Sequence, residues 1–420
     1  MNFFEYKDRQ LYCEQIPVAE IAKRVGTPFY LYSYHTLVRH FTIFDQAFHH
    51  VPHLVCFSAK ANSNLALIRL FANLGGGVDV VSGGELYRAI KAGADPKKIV
   101  YSGVGKREDE LQYALESGIL MFNVESFQEL QTINDVAGRA GKRAPIAIRV
   151  NPDIDPKTHP YISTGLKKNK FGIDIREAPA AYRLASRLPN LQIVGIDCHV
   201  GSQLIEVGPV VQALVKLKRL VGDLRKEGME IRYLDLGGGL GITYEDEEPP
   251  EPVEYASRIL EEVKGFDCTL VLEPGRVIVG NAGTLVTKVL HTKESEAKRF
   301  IIVDAGMNDL VRPSYYGSYH RILPVKQENR EEMTVDVVGP ICESSDFLAK
   351  DRKMLRLESG ELAAVMSAGA YGFSMSTNYN SRPRAAEVLV RDDQMFVIRR
   401  RETYEDLVRG EEIPDFLVKP

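Results

Sequence analysis

A lysine closes the apolar run LVCFSAK at position 60. An amine held at a strand end against apolar surface has a lowered proton affinity, so it can attack a carbonyl carbon. Taken alone, Lys60 reads better as a solvated lysine opening a loop. Further along, Gly237-Gly238-Gly239, with Gly241 just beyond, offer backbone N–H groups that an anion can approach closely. Glycines also serve ordinary turns, but Gly275 of EPGR follows in the next strand-like run, and two such loops can share one phosphate. Glu273 of the same run is a carboxylate at the end of an apolar stretch, costly to bury without a partner. A structural salt bridge would satisfy it, and so would a ring nitrogen that needs to stay protonated. His199, in CHVGS with Ser202 three residues on, reads as a core histidine or as a flat face for a flat ligand. Together these residues specify pyridoxal phosphate: an amine for its aldehyde, a loop for its phosphate, a ring partner, and a carboxylate for its nitrogen.

Eight β-rich runs must position them, ending at Lys60, Ser82, Gly103, Ser126, Pro152, Gly201, Gly239 and Arg276. The first four are spaced a little over twenty residues apart, enough for a strand, a helix and two short loops. Later steps are longer and leave room for loops such as HPYISTGLKKNKFGI. Several runs are apolar without alternation, as parallel strands covered on both faces are. SGGELYRAIKAGA carries a helix start at Ser82, with Glu85 three residues later, and a stop at Gly93. Eight β/α repeats predict a closed (β/α)8 barrel rather than an open doubly wound sheet, with its chemistry at the C-terminal strand ends. After Arg276 the helices thin out. TLVTKVLHT, RFIIVDAG, MTVDVVGP, ELAAVMSAG and EVLVRDDQMFVIRR read as strands of a mainly antiparallel β domain, the last folded at Asp392-Asp393. TPFYLYS fits that domain too, so a barrel over residues 34–277 is expected to interrupt a β domain made of 1–33 and 278–420.

The composition narrows the function. The 420 residues are 44% hydrophobic and 26% charged, with a net charge of −4 and no long basic run. That argues against nucleic acid or an anionic membrane as partner. No window approaches the roughly 18 apolar residues of a membrane span, and the N-terminus has no signal-peptide core. Five cysteines, widely spaced and without CxxC pairs, suggest reduced thiols in a cytoplasm, and no metal site is expected.

FSAKAN, GGGVDVVSGGEL, CHVGSQ, LDLGGGLGI, EPGR, RPSYYGSYH, GPICESSD and GAYG occur in this order. The set resembles the alanine-racemase-like, pyridoxal-phosphate-dependent amino-acid decarboxylases, from about Thr27 to beyond Tyr371. The resemblance implies that Lys60 forms the Schiff base and His199 stacks on the cofactor ring. It places Ser202, Gly238, Gly239, Gly275, Arg276 and Tyr371 around the phosphate, Asp79 close to the cofactor, and Glu273 at the pyridine nitrogen. It further implies that Arg312 and Tyr316, with Arg276 and Tyr371, bind a carboxylate the substrate keeps. Glu343 would face a distal ammonium. Cys342 would donate a proton from across a homodimer interface, so that both subunits build each site. By their types alone, Arg312 reads as a surface arginine and Cys342 as a small buried hydrophobe. The implied substrate is meso-diaminopimelate, converted to L-lysine. Decarboxylases of ornithine, arginine and polyamines lack the RPxxY arginine, and carboxynorspermidine decarboxylase is a weaker relative. A cofactor-carrying homeostasis protein is a lone barrel, and a sugar-phosphate barrel enzyme would carry no Schiff-base chromophore.

Overall fold

A computed structural model of the chain describes residues 2–154 and 170–418, so most of the expected loop HPYISTGLKKNKFGI lies outside the described residues. The chain divides into two compact units, His35–Asn281 and Met1–Tyr34 with Ala282–Pro420.

The first unit is a closed barrel of eight parallel strands: β1 His53–Ser58, β2 Gly77–Val80, β3 Ile99–Tyr101, β4 Met121–Val124, β5 Ala144–Asn151, β6 Leu191–Asp197, β7 Tyr233–Asp235 and β8 Thr269–Leu272. Each strand pairs with the next, and pairing of β8 with β1 closes the ring. Every step carries a helix, and three helices start on a side-chain cap: Asn64, Ser82 and Ser126 accept the N–H of Ala66, Glu85 and Glu129. Ladder pairing stops earlier than the apolar runs suggest, since β1 ends at Ser58 and β6 at Asp197. Lys60 and His199 therefore stand in the loops two residues beyond their strands. A two-residue strand, Ile173–Asp174, adds parallel to the end of β5 and has no signal in the sequence.

The second unit is a mainly antiparallel sheet. Phe29–Ser33 lies between Gly283–Glu294, antiparallel to it, and Ala386–Arg391, parallel to it. A second parallel pair joins Arg299–Val303 to Glu332–Val338. Arg391 pairs with Gln394 across a turn in which Asp392 has φ +56. The strand Phe347–Leu355 is missed by pattern reading because FLAKDRKML is broken by Lys350, Asp351, Arg352 and Lys353. It is an edge strand, where charges discourage further pairing. A small sheet of Phe4–Lys7, Gln10–Cys13 and Ile16–Pro17 was likewise unforeseen.

Candidate active site on the barrel rim

Lys60 Nζ lies 2.7 Å from Asp79 Oδ2, and Ser58 donates its hydroxyl to the same oxygen. Asp79 is fully buried at the end of β2, and its other oxygen, Oδ1, has no hydrogen-bond partner among the described residues. The lysine itself stays 36% exposed in its side chain, so its amine is reachable from the rim.

His199 packs on the backbone of Gly237: a Cβ added there would come within 2.5 Å of the imidazole Nδ1. Burial, with the positive charges of Arg149 and Lys60, pushes its pKa well below the ordinary histidine value. The ring is therefore neutral at pH 7.

The loops after β6, β7 and β8 meet. Leu204 donates its N–H to the Gly239 carbonyl at 2.8 Å, and Arg276 Nη2 donates to Ser202 Oγ at 3.1 Å. The other guanidinium nitrogen, Nη1, donates to Tyr244 Oη at 2.7 Å. Gly239 has φ +117, and a Cβ at Gly238 would fall 2.2 Å from the Glu273 carbonyl oxygen. Any side chain at these positions would separate the loops. Gly275 is similarly pressed against Ala61 and Ser58. A phosphate here meets a guanidinium, a hydroxyl and glycine backbone, a donor set suited to a dianion.

Beneath these loops the barrel holds polar groups that the sequence reading did not single out. Asn123 Nδ2 of β4 lies 3.0 Å from Asp235 Oδ2 of β7, a bond that crosses the barrel interior. The same nitrogen is 3.4 Å from Glu273 Oε1, which Ser102 Oγ approaches at 3.3 Å. Arg149 of β5 pairs with Glu125 at 2.9 Å and reaches Asp197 at 3.9 Å. Glu273 is 6% exposed and forms no ion pair among the described residues. Its pKa is driven well above the carboxylate range, first by burial and then by the negative charges of Asp235 and Asp79. The signal was available: Asn123, Arg149, Asp197 and Asp235 are single polar residues inside apolar strand runs.

The remaining expected site residues belong to the second unit. Arg312 opens the short helix Arg312–Tyr316, is buried, and holds its guanidinium over the Tyr316 ring at 5.6 Å. Its Nη2 donates to Ser318 Oγ at 3.2 Å. The hydroxyl of Ser314 donates to the Ser345 carbonyl at 2.6 Å, which ties this helix to the loop carrying Cys342 and Glu343. Both of those residues are exposed. Asp346 pins the loop by accepting N–H bonds from Met307 and Ile341, and the Cys342 N–H donates to Asn380 Oδ1 at 2.7 Å. Tyr371 stands before Gly372 in a left-handed conformation, φ +55, uncommon for an aromatic residue.

An amine just beyond β1, a rim loop built for a dianion and a buried carboxyl in no ion pair among the described residues define a barrel enzyme of pyridoxal chemistry. The family model for the pyridoxal-dependent decarboxylase, pyridoxal binding domain, matches residues 34–280. The diaminopimelate decarboxylase of Haemophilus influenzae is 52% identical over 97% of this chain and 98% of its own. Among solved structures, the diaminopimelate decarboxylase of M. jannaschii in complex with L-lysine superposes with a TM-score of 0.94 at 40% identity, covering 99% of each chain. That of Helicobacter pylori, also with L-lysine, gives 0.90 at 45% identity over 93% of this chain and 98% of its own. The chain belongs to the pyridoxal-dependent decarboxylases, in the diaminopimelate decarboxylase branch. No helix among the described residues is long and apolar enough to cross a membrane.

Proposed function

We propose that this chain binds pyridoxal 5'-phosphate on its barrel rim and decarboxylates meso-2,6-diaminopimelate to L-lysine and carbon dioxide, the last step of lysine biosynthesis. The observation that carries the reading is Lys60 just beyond the end of β1, its amine reachable from the rim and paired with a fully buried Asp79. The residues fit the cofactor: Glu273 is a buried carboxyl without a cation among the described residues, and the Arg276–Ser202 pair stands beside the glycine loop. Bound there, pyridoxal phosphate supplies an electron sink for the pair left behind when carbon dioxide departs.

The chain's own residues do the rest. Lys60 holds the cofactor through its amine, and Asp79 fixes that amine in place. Arg276, Ser202, Gly238, Gly239, Gly275 and Tyr371 bind the phosphate. His199, neutral and flat, packs against a ring face, and Glu273 meets the ring nitrogen. Arg312 holds the carboxylate that stays, through a planar fork matched to its geometry. Arg276, Tyr316 and Tyr371 line the same substrate. Glu343 faces the distal ammonium, and Cys342 or Lys60 returns a proton to Cα. The protein works in the cytoplasm as a homodimer, in which the exposed Cys342, on its pinned loop, reaches the partner's site.

Carbon dioxide release from meso-diaminopimelate, L-ornithine and L-arginine, measured separately, tests this. Release from meso-diaminopimelate alone is expected; preferential release from ornithine or arginine overturns the substrate assignment.

A further inference from the structure

The carboxyl groups inside the barrel outnumber the cations available to them. Arg149 is taken by Glu125 and Asp197, and Lys60 by Asp79. Asp235, fully buried, and Glu273 are left with neutral donors only, among the described residues. The Asn123 amide nitrogen bridges them, 3.0 Å from Asp235 Oδ2 and 3.4 Å from Glu273 Oε1. Two such groups in a dry interior cannot both be ionised.

Their surroundings decide which one keeps the proton. Asp235 accepts the Gly237 N–H at 2.9 Å and Asn123 Nδ2 at 3.0 Å, a good nest for a carboxylate. Among the described residues, Glu273 has only Ser102 Oγ at 3.3 Å and Asn123 Nδ2 at 3.4 Å. An amide has two hydrogens, and Nδ2 also lies 3.1 Å from Ser102 Oγ, so Glu273 is the least served of its three acceptors. The other groups facing the pair are Asp79 on β2, Asp197 on β6, Cys56 on β1, Lys60, and Arg149 on β5, which is already held by Glu125. Asp79, Asp197 and Cys56 oppose a second negative charge; Lys60 and Arg149 favour one, but Asp79 and Glu125 hold them.

We propose that Asp235 is a positioning residue for Glu273: the buried pair, joined by Asn123, holds one proton, and the ionised Asp235 keeps it on Glu273. This rests on the proposed function for its purpose, because Glu273 is then a loaded acid where the cofactor's ring nitrogen would sit. If the proton passes to that nitrogen, Glu273 is left as the carboxylate beside the new cation. The pKa directions agree: Asp235 is pushed up to about 6 by burial, and Glu273 well above its ordinary value.

Infrared difference spectra of the full chain, free of cofactor, follow the protonated-carboxyl band with pH. Other buried carboxyls such as Glu85 contribute to that band. At neutral pH the wild type should therefore show a component that Glu273→Gln lacks, and in Asp235→Asn that component should vanish about one pH unit or more lower. In the cofactor-loaded protein, the alkaline change in visible absorption should move in the same direction. Equal neutral-pH bands in wild type and Glu273→Gln, or coinciding titrations of wild type and Asp235→Asn, overturn the proposal. If Asp235→Asn does not fold, the difference between wild type and Glu273→Gln decides: a coupled pair contributes two separated proton losses to that difference, and a single one overturns the proposal. A chain that takes up no pyridoxal phosphate defeats the proposed function, whereas the cofactor-free titration still judges this inference.

Discussion

The ammonium of Lys60 sits 2.7 Å from Oδ2 of Asp79, a carboxylate with no exposure to solvent. Asp79 therefore holds the amine at the rim with little freedom to wander. Lys60→Ala should abolish the visible absorption of the lysine-bound cofactor and lower turnover by several orders of magnitude. Spectra and carbon dioxide release measured on the same sample check both. Retention of colour and turnover would show that another amine carries the cofactor.

Arg312 is buried yet presents a fork that a carboxylate fits. Arg312→Ala should lower kcat/KM for diaminopimelate by about 100-fold, the loss expected for a charge-assisted pair, and leave the cofactor spectrum unchanged. An unaltered kcat/KM would remove the arginine from the substrate site.

If the dimer is two-fold symmetric and sites are shared, Lys60→Ala and Cys342→Ala homodimers should each be nearly inactive. Random mixing makes about half of the dimers mixed, and each mixed dimer has one site with both defects and one with neither. The mixture should recover about a quarter of wild-type activity. Activity that stays at the level of the single variants, with subunit exchange confirmed by mass, would place both residues in one chain.

Arg149 is the buried cation that balances Glu125 and Asp197. Arg149→Met should destabilise the barrel by about 3–5 kcal/mol, because the buried Glu125 carboxylate loses its partner. The urea midpoint of the purified variant measures it, and a midpoint within error of wild type would contradict the role.

Glu85 accepts the Val81 N–H at 2.8 Å, but burial pushes its pKa up to about 7. Its folded pKa lies above the unfolded value, so its stabilising share is present below pH 4 and is lost as pH rises towards 7. Glu85→Gln should flatten the fall in stability across that window by about 1–2 kcal/mol. Thermal melts at a series of pH values should show the two proteins diverging between pH 4 and 7; parallel curves would count against it.

The barrel was legible because its evidence is local. Each of the eight runs carries its own apolar stretch and its own helix signals, and Lys60, His199, Gly239 and Glu273 stand out at the ends of theirs. The motifs RPSYYGSYH and GPICESSD were legible as resemblance only, since nothing near them in sequence says what an arginine or a cysteine there would touch.

The rest needed closure of the ring. Asn123 meets Asp235 across 112 residues, and Ser102 meets Glu273 across 171. Single polar residues in apolar strands can be seen in the sequence, but which of them converge depends on β8 pairing with β1. Likewise the strand Phe347–Leu355, with its run of charges, forms because Glu332–Val338 offers it an edge. Local composition selects strands and helices through short-range sterics and burial. Which buried charges face one another, and therefore which carboxyl keeps a proton, is decided only when distant strands are brought together out of water.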